Sequence, residues 1–291
     1  MMKVIKCMVL LVAFLPALMV KGQSETETVK KSFTVKNEKA TWFAVCNIEG
    51  DIEVEAHDGN TIEIEVEKQI SGNQSEIKQG MEEVKLDFAQ GDGFVRARFT
   101  TPNNQVREKD DPLACGWDWN QDRERVNYRV RLDYKVKVPR NISVKISTVN
   151  KSDLYIKGVK GEVYANNVNG DVRLIDVESN TKASTVNGKI EVNYLKMPTE
   201  FAEFQTVNGE IEIFAPANLG AIYNFESQWG EVYSDFEFSQ KISPKLVANK
   251  GERGGTKYKI DNSNSYQVGN GGPEFSFKTL NGDIRVMKAK K

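Results

Sequence analysis

Residues 183–195 read ASTVNGKIEVNYL, a Val-Asn-Gly step followed by alternating charged and apolar side chains. Related words recur: NVNGDVRL at 167–174, QTVNGEIEIF at 205–214, TLNGDIRV at 279–286 and NIEGDIEV at 47–54. Aligned on Gly50, Gly161, Gly170, Gly188, Gly209, Gly230 and Gly282, each glycine precedes Asp, Glu or Lys and then Val or Ile. From Gly170 to Gly230 the spacings are 18, 21 and 21 residues. Further turn signals, Ser179-Asn180, Pro198-Thr199 and Asn218-Leu219-Gly220, fall midway between them. A unit of about twenty residues with a turn about every ten is the mark of a stacked repeat.

Asn-Gly between alternating strands is also the strongest short hairpin signal. A two-residue hairpin at Asn187-Gly188 would, however, set Val186 against Lys189. The same mismatch recurs as Val168 with Asp171, Val207 with Glu210 and Leu280 with Asp283. A chain that turns a corner at Asn-Gly and pairs with the next coil avoids this, with Val186 and Ile190 expected to point inward. The preferred fold is therefore all-β, a β-solenoid (β-helix-like) of roughly 20-residue coils. Stacked coils would align Asn169, Asn187 and Asn208 so that their amides bond along the stack, and Asn281 is expected as the turn residue of the final word. Gly170, Gly188, Gly209 and Gly282 are expected to supply positive φ at the corner.

The start of the chain has another texture. Residues 1–22 combine Lys3 and Lys6, an apolar run from Met8 to Val20 and a small-residue end at Gly22, the pattern of a signal peptide. Its thirteen apolar residues fall short of the ~20 needed to span a bilayer. Cys7 precedes the apolar run, the wrong place for a lipid-bearing cysteine. No second apolar run follows, so no transmembrane segment is expected in the mature chain. RVNYRVRLDYKVKVP at 125–139, TIEIEVEKQI at 61–70 and FVRARFT at 94–100 alternate at length, implying antiparallel strands with one wet face. Residues 23–140 are accordingly expected to form an antiparallel β-rich N-terminal cap carrying an inserted loop, 101–125. A weak helix signal lies at 75–84 of that cap, and residues 141–291 are expected to form the repeat part, with loops over 247–273.

Removal of residues 1–22 lowers the basic count from 40 to 37 against 41 acidic residues, a net charge of −4. These charges are dispersed, which argues against nucleic acid as a partner. Cys46 and Cys115 remain, and an isolated pair in an exported chain is a disulfide candidate. With His57 they make too few ligands for a metal, and no cofactor motif is present.

The words at 168–172, 186–190, 207–211 and 280–284 resemble those of a large bacterial family of putative adhesins built of β-strand repeats. The resemblance is clearest over 145–291 and begins near Ile48. It implies an exported β-solenoid-like domain of the cell envelope, with no catalytic residue to carry over.

Chemistry outside the repeats would sit in the insert. Trp117, Asp118 and Trp119 could form a platform for a sugar ring or a partner side chain, or could plug the open end of the stack. Asp118, Asn120 and Asp122 begin like a calcium loop, but Arg123 occupies the glycine position and Arg129 the twelfth. In the repeats, Asp171, Lys189, Glu210 and Glu231 are expected to share one outward column, and Arg173, Glu191, Glu212 and Tyr233 the next. Adjacent carboxylates at ~5 Å would suit a retaining glycosidase, but a solvated face explains them equally. His57 lies in a turn. The expected function is a non-enzymatic adhesin or envelope scaffold for a glycan or protein, located in the periplasm, on the outer-membrane surface or outside the cell. The alternatives are a structural or regulatory module for same-cell partners and a polysaccharide-active enzyme.

Overall fold

The computed structural model describes residues 23–289, apart from 103, 107–110, 116, 120–125, 218–219, 243–245, 251–255 and 261–263. The expected signal peptide, residues 1–22, lies outside this range. The chain is all-β, with one α-helix among the described residues, Gln74–Glu83. That helix is started by a capping box in which Asn73 accepts from the Glu76 N–H and Glu76 accepts from the Asn73 N–H.

Two large sheets share one hydrophobic cluster. The first sheet has ten strands in the order Gln23–Thr34, Thr61–Gly72, Arg129–Pro139, Ile52–His57, Leu154–Lys157, Val172–Val177, Ile190–Tyr194, Ile211–Ala215, Ile284–Lys288, Val232–Ser234. The second has eleven: Phe238–Ile242, Asn264–Val268, Ala221–Ser227, Glu274–Thr279, Phe201–Gln205, Thr181–Ser184, Val163–Asn166, Ser143–Ser147, Trp42–Cys46, Phe94–Thr100, Lys85–Gly91. Each repeat gives one strand to the second sheet, turns at its Gly word, and gives the next strand to the first. Neighbouring repeats pair in parallel in both sheets, as in Ile190 opposite Ile211 and Ala183 opposite Phe204. At the N-terminal end the strands are antiparallel: Gln23–Thr34 with Thr61–Gly72, the latter with Arg129–Pro139, and Lys85–Gly91 with Phe94–Thr100. The repeat pairing itself starts with Trp42–Cys46 and Ile52–His57.

Inward positions stack like on like. Ile52, Leu154, Val172, Ile190, Ile211 and Ile284 form one column of the core, each at most 1% exposed. Burial of each such side chain contributes about 1.5–3 kcal/mol.

Every position of the repeated word has a task in joining one coil to the next. The first residue, Thr or Asn, points inward and is buried: Thr148, Asn167, Thr185, Thr206 and Thr279. The Thr185 hydroxyl donates to the Gly170 carbonyl at 2.9 Å, and Thr206 to the Gly188 carbonyl at 3.2 Å. Asn187, Asn208 and Asn281 each donate a side-chain N–H to the preceding asparagine's Oδ1, at 2.8, 2.8 and 2.7 Å. The glycines pass directly over one another, so a Cβ on Gly188, Gly209 or Gly282 would lie 2.1, 1.9 or 1.9 Å from the neighbouring glycine's carbonyl oxygen. Where the next residue is Asp, its carboxylate accepts the N–H of its counterpart one coil on. Asp153 does so for Asp171 and Asp171 for Lys189, both at 2.8 Å. Thr and Asp thus satisfy the carbonyl and the N–H that the bent backbone cannot join to each other.

Several expectations need correction. Val186 does not point inward; it is 37% exposed, because the bend interrupts strand alternation and gives the inward place to Thr185. Positive φ is present at Gly170 and Gly282 (both 152°) but not at Gly188 or Gly209, so close approach is what all four have in common. Residues 247–273 are not only loops, since Leu246–Lys250 pairs with Thr256–Ile260 and Asn264–Val268 with Ala221–Ser227. The stack also departs from chain order. The last repeat, Glu274–Lys288, lies between Phe201–Ala215 and Ala221–Ser234. Its Phe277 packs between Phe204 and Phe225, with ring centroids 5.3 and 5.1 Å away. Its Ile284 is fully buried, whereas Val232, at the equivalent position of the outermost repeat, is 40% exposed. The repeat in the inner place is the one whose Thr279 and Asn281 bond to the Gly209 carbonyl and to Asn208.

Gly209→Ala should destabilise the fold by ~3 kcal/mol or more, because the obstructing atom is backbone that no rotamer change can move. Thr206→Val, which keeps the shape but leaves the Gly188 carbonyl without its hydroxyl, should cost about 1–3 kcal/mol. Asn187→Ala, on the wet side of the same corner, should cost ~1 kcal/mol or less. Urea unfolding of the three variants would check this order.

Candidate functional site

With the corners consumed by stacking, the two outer sheet faces carry the side chains free to meet a ligand. On the first sheet the row after the glycines runs Asp133, Asp51, Asp153, Asp171, Lys189, Glu210, Asp283, Glu231. The next row is Glu65, Lys135, Glu53, Tyr155, Arg173, Glu191, Glu212, Arg285, Tyr233. The two expected columns therefore exist with one change each: Asp283 separates Glu210 from Glu231, and Arg285 separates Glu212 from Tyr233. Glu210 and Glu231 are not a neighbouring carboxylate pair, because the last repeat lies between them.

These charges answer one another. Arg131 bridges Asp51 at 3.0 Å and Asp133 at 2.8 Å. Lys189 contacts Glu191 and Glu212. Partial burial works to lower the Lys189 pKa, but its hydrogen bond to Glu212 and the charges of Glu212 and Glu191 hold it above the ordinary lysine value. The largest hollow on this face, about 720 Å³, is an open trough among Lys30, Glu53, Glu65 and Lys135. Among the described residues, no group of three or more His, Cys, Asp or Glu side chains is placed to hold a metal ion.

His57 has a structural task. One ring nitrogen lies 2.8 Å from the Thr61 carbonyl, and Nδ1 accepts from the Gly59 N–H at 3.0 Å, which closes the turn between two strands. Beside it Arg140 hydrogen-bonds Asp58 and holds that carboxyl below the usual range.

The second sheet's outer face differs. Trp42, Tyr164 and Phe201 project from it, each half-buried. The Trp42 and Tyr164 ring centroids are 5.0 Å apart. The Lys182 ammonium lies 5.8 Å from the Tyr164 ring and 4.9 Å from the Phe201 ring. Burial, followed by a 2.8 Å hydrogen bond to Glu162, pushes the Tyr164 hydroxyl up to about 12. A polar row, Ser147, Asn166, Ser184 and Gln205, runs alongside. An open groove of about 480 Å³ extends over Phe201, Lys182, Ser184, Gln205, Ser276 and Lys278. The pattern-based reading missed these aromatics, although each stands at an outward position beside an inward apolar residue: TWF at 41–43, EVY at 162–164, EFA at 200–202.

The insert is anchored on this same face. Cys46 and Cys115 form a disulfide, Cα atoms 5.5 Å apart and 69 residues apart in sequence. Asp111 lies 3.7 Å from Lys145. Cys46 and Lys145 point away from the core, so residues 111–115 lie on the sheet's outer surface. Trp117–Trp119 forms a short strand paired with Asn104–Val106. The side chains of Trp117, Asp118 and Trp119 fall outside the described part, as do Asn120, Asp122 and Arg123 of the considered calcium loop.

Residues 133–265 match the family model described as Toastrack DUF4097. No curated protein matches the chain. Among solved structures, a putative cell adhesion protein from Clostridium sporogenes shares 11% identity, covering 92% of this chain and 100% of that one, with a TM-score of 0.41. A putative adhesin from Bacteroides fragilis shares 9% over 90% of this chain and 97% of its own, with a TM-score of 0.31. A putative lipid binding protein from Parabacteroides distasonis shares 12% over 90% and 97%, with a TM-score of 0.24.

Removing the disulfide by Cys46→Ala/Cys115→Ala should lower stability by about 2–5 kcal/mol, read as a shift in the urea midpoint.

Proposed function

We propose that this protein is an exported, non-enzymatic β-solenoid of the bacterial envelope or cell surface, an adhesin-like scaffold that binds a glycan or a protein on its outer faces. The observation that carries the reading is the division of labour within the repeat. Thr, Asn, Gly and Asp of each word are spent on the adjacent coil, which builds a rigid body with two long, exposed faces. Stacked repeats of this kind offer an extended surface in place of a pocket. The Cys46–Cys115 bond supports an oxidising compartment, and the signal pattern of residues 1–22 supports export. The paired charges of the first sheet, together with open troughs in place of a cleft, support binding over turnover.

The test is binding of the purified exported chain to arrayed glycans, extracellular-matrix proteins and envelope proteins of the native cell, with a Trp117→Ala/Trp119→Ala variant alongside. Saturable binding without consumption of the ligand is expected. Loss of binding in the variant would place the contact on the insert, and retention would place it on the sheet faces. Hydrolysis of an arrayed polysaccharide would sink the scaffold reading.

A further inference from the structure

We propose that the outer face of the second sheet is a binding platform for a neutral, linear glycan, its chain lying across the strands along the stack. The inference rests on the scaffold reading above and gives it a site and a ligand class.

Three observations converge on this face. First, its aromatic side chains are spread along the stack in a track linked through Lys182. Trp42 touches Tyr164, and Lys182 spans from the Tyr164 ring to the Phe201 ring. Tyr164 and Phe201 stand on strands separated by one strand, 181–184, hence two strand spacings or ~9.6 Å apart along the stack. A sugar polymer presents its apolar C–H faces at a regular interval, and half-buried rings along a line are the complementary surface. Second, hydroxyl and amide groups flank the track. Ser184 and Gln205 line the groove beside Phe201, where they can exchange hydrogen bonds with sugar hydroxyls.

Third, the charges at the groove are already matched. Lys182 is 3.1 Å from Glu203, and Lys278 is 2.8 Å from Glu226. An acidic polymer would find no unpaired cation among these lysines, which favours a neutral chain. The strands under the track are interior ones whose backbone groups are spent in the ladder on both sides, so an added peptide strand has no edge to join here. What this face presents is rings, hydroxyls and amides in an open trough, arranged along the axis on which the repeats multiply.

The experiment is calorimetric titration of the purified exported chain with β-1,4-linked glucose, β-1,4-linked N-acetylglucosamine and β-1,3-linked glucose oligosaccharides of two to six sugars. Tyr164→Ala, Phe201→Ala, the double variant and a first-sheet control, Arg173→Ala, are run beside it. Circular dichroism and a urea midpoint establish that each is folded. At least one series should bind saturably and more tightly as it lengthens. Each single variant should weaken it roughly fivefold, and Arg173→Ala should leave it unchanged. Binding that survives in the double variant overturns the site. Failure of all neutral glycans while arrayed proteins bind overturns the glycan inference and leaves the scaffold reading standing. Failure of every arrayed partner removes both.

Discussion

The structure depends on how closely one glycine can pass over another. At each corner the Cα of Gly188, Gly209, Gly282 or Gly230 lies against the carbonyl of the glycine in the adjacent coil, where a Cβ would be 1.7–2.1 Å from oxygen. That approach lets the chain turn sharply from one sheet to the other without spreading the coils. It also breaks the backbone ladder for one step, leaving a carbonyl and an N–H that no longer face each other. The buried threonine and the carboxylate after the glycine restore what was lost. The repeated word is therefore a set of coupled demands: the glycine creates the orphaned groups, and its neighbours in sequence satisfy them in the next coil.

The consequence is a body whose corners are constrained and whose faces are not. Sequence variation along the stack accumulates at outward strand positions, and the two faces have taken different courses. The first sheet's face is a lattice of acids and bases, pairing across strands as Arg173 does with Glu191. Such exposed pairs contribute little stability each, and their chief effect is to keep a broad flat surface hydrated. The second sheet's face has aromatics, amides and hydroxyls, and the disulfide pins the insert there. The chemistry that could hold a partner and the tether that positions an insert lie on one side of the molecule.

Much of this was legible in the chain, for physical reasons that can be named. The twenty-residue period follows from the spacing of the glycine words, and the asparagine ladder from stacking those words in register. Outside residues 1–22 only two cysteines remain, which points to the Cys46–Cys115 pair. What stayed hidden depends on distance or on competition. The order of the coils depends on which word can bond to the Gly209 corner: TLNGDI at 279–284 brings Thr279 to the Gly209 carbonyl and Asn281 to Asn208, whereas SQWGEV at 227–232 has Ser227 and Trp229 at those positions. The inward turn of Thr185 was missed because alternation was carried through a bend that does not alternate. The carboxylates after the glycines looked like ordinary surface charge, since their acceptor role appears only once two coils are superposed. Trp42, Tyr164 and Phe201 belong to three distant segments and become one track only through parallel register.

The ends of the stack obey a different constraint, because an open sheet edge invites pairing with another chain. At the N-terminal end, Gln23–Thr34 is a twelve-residue edge strand, long enough to be a hazard. It carries Lys30 and Lys31 along its length, and its exposed Glu27 sits 2.6 Å from Lys68, which is buried against the helix Gln74–Glu83. Another strand added at this edge would have to lie alongside those charges. At the far end the first sheet stops with only Val232–Ser234, too short to template much, and the second sheet closes with the antiparallel strands Asn264–Val268 and Phe238–Ile242. With Ala221–Ser234 beyond the last repeat, Val232 loses burial at the first sheet's edge, while Ile284 and Phe277 keep theirs. The departure from chain order and the change from parallel to antiparallel pairing are thus two parts of one solution, which ends a repeat that could otherwise continue indefinitely.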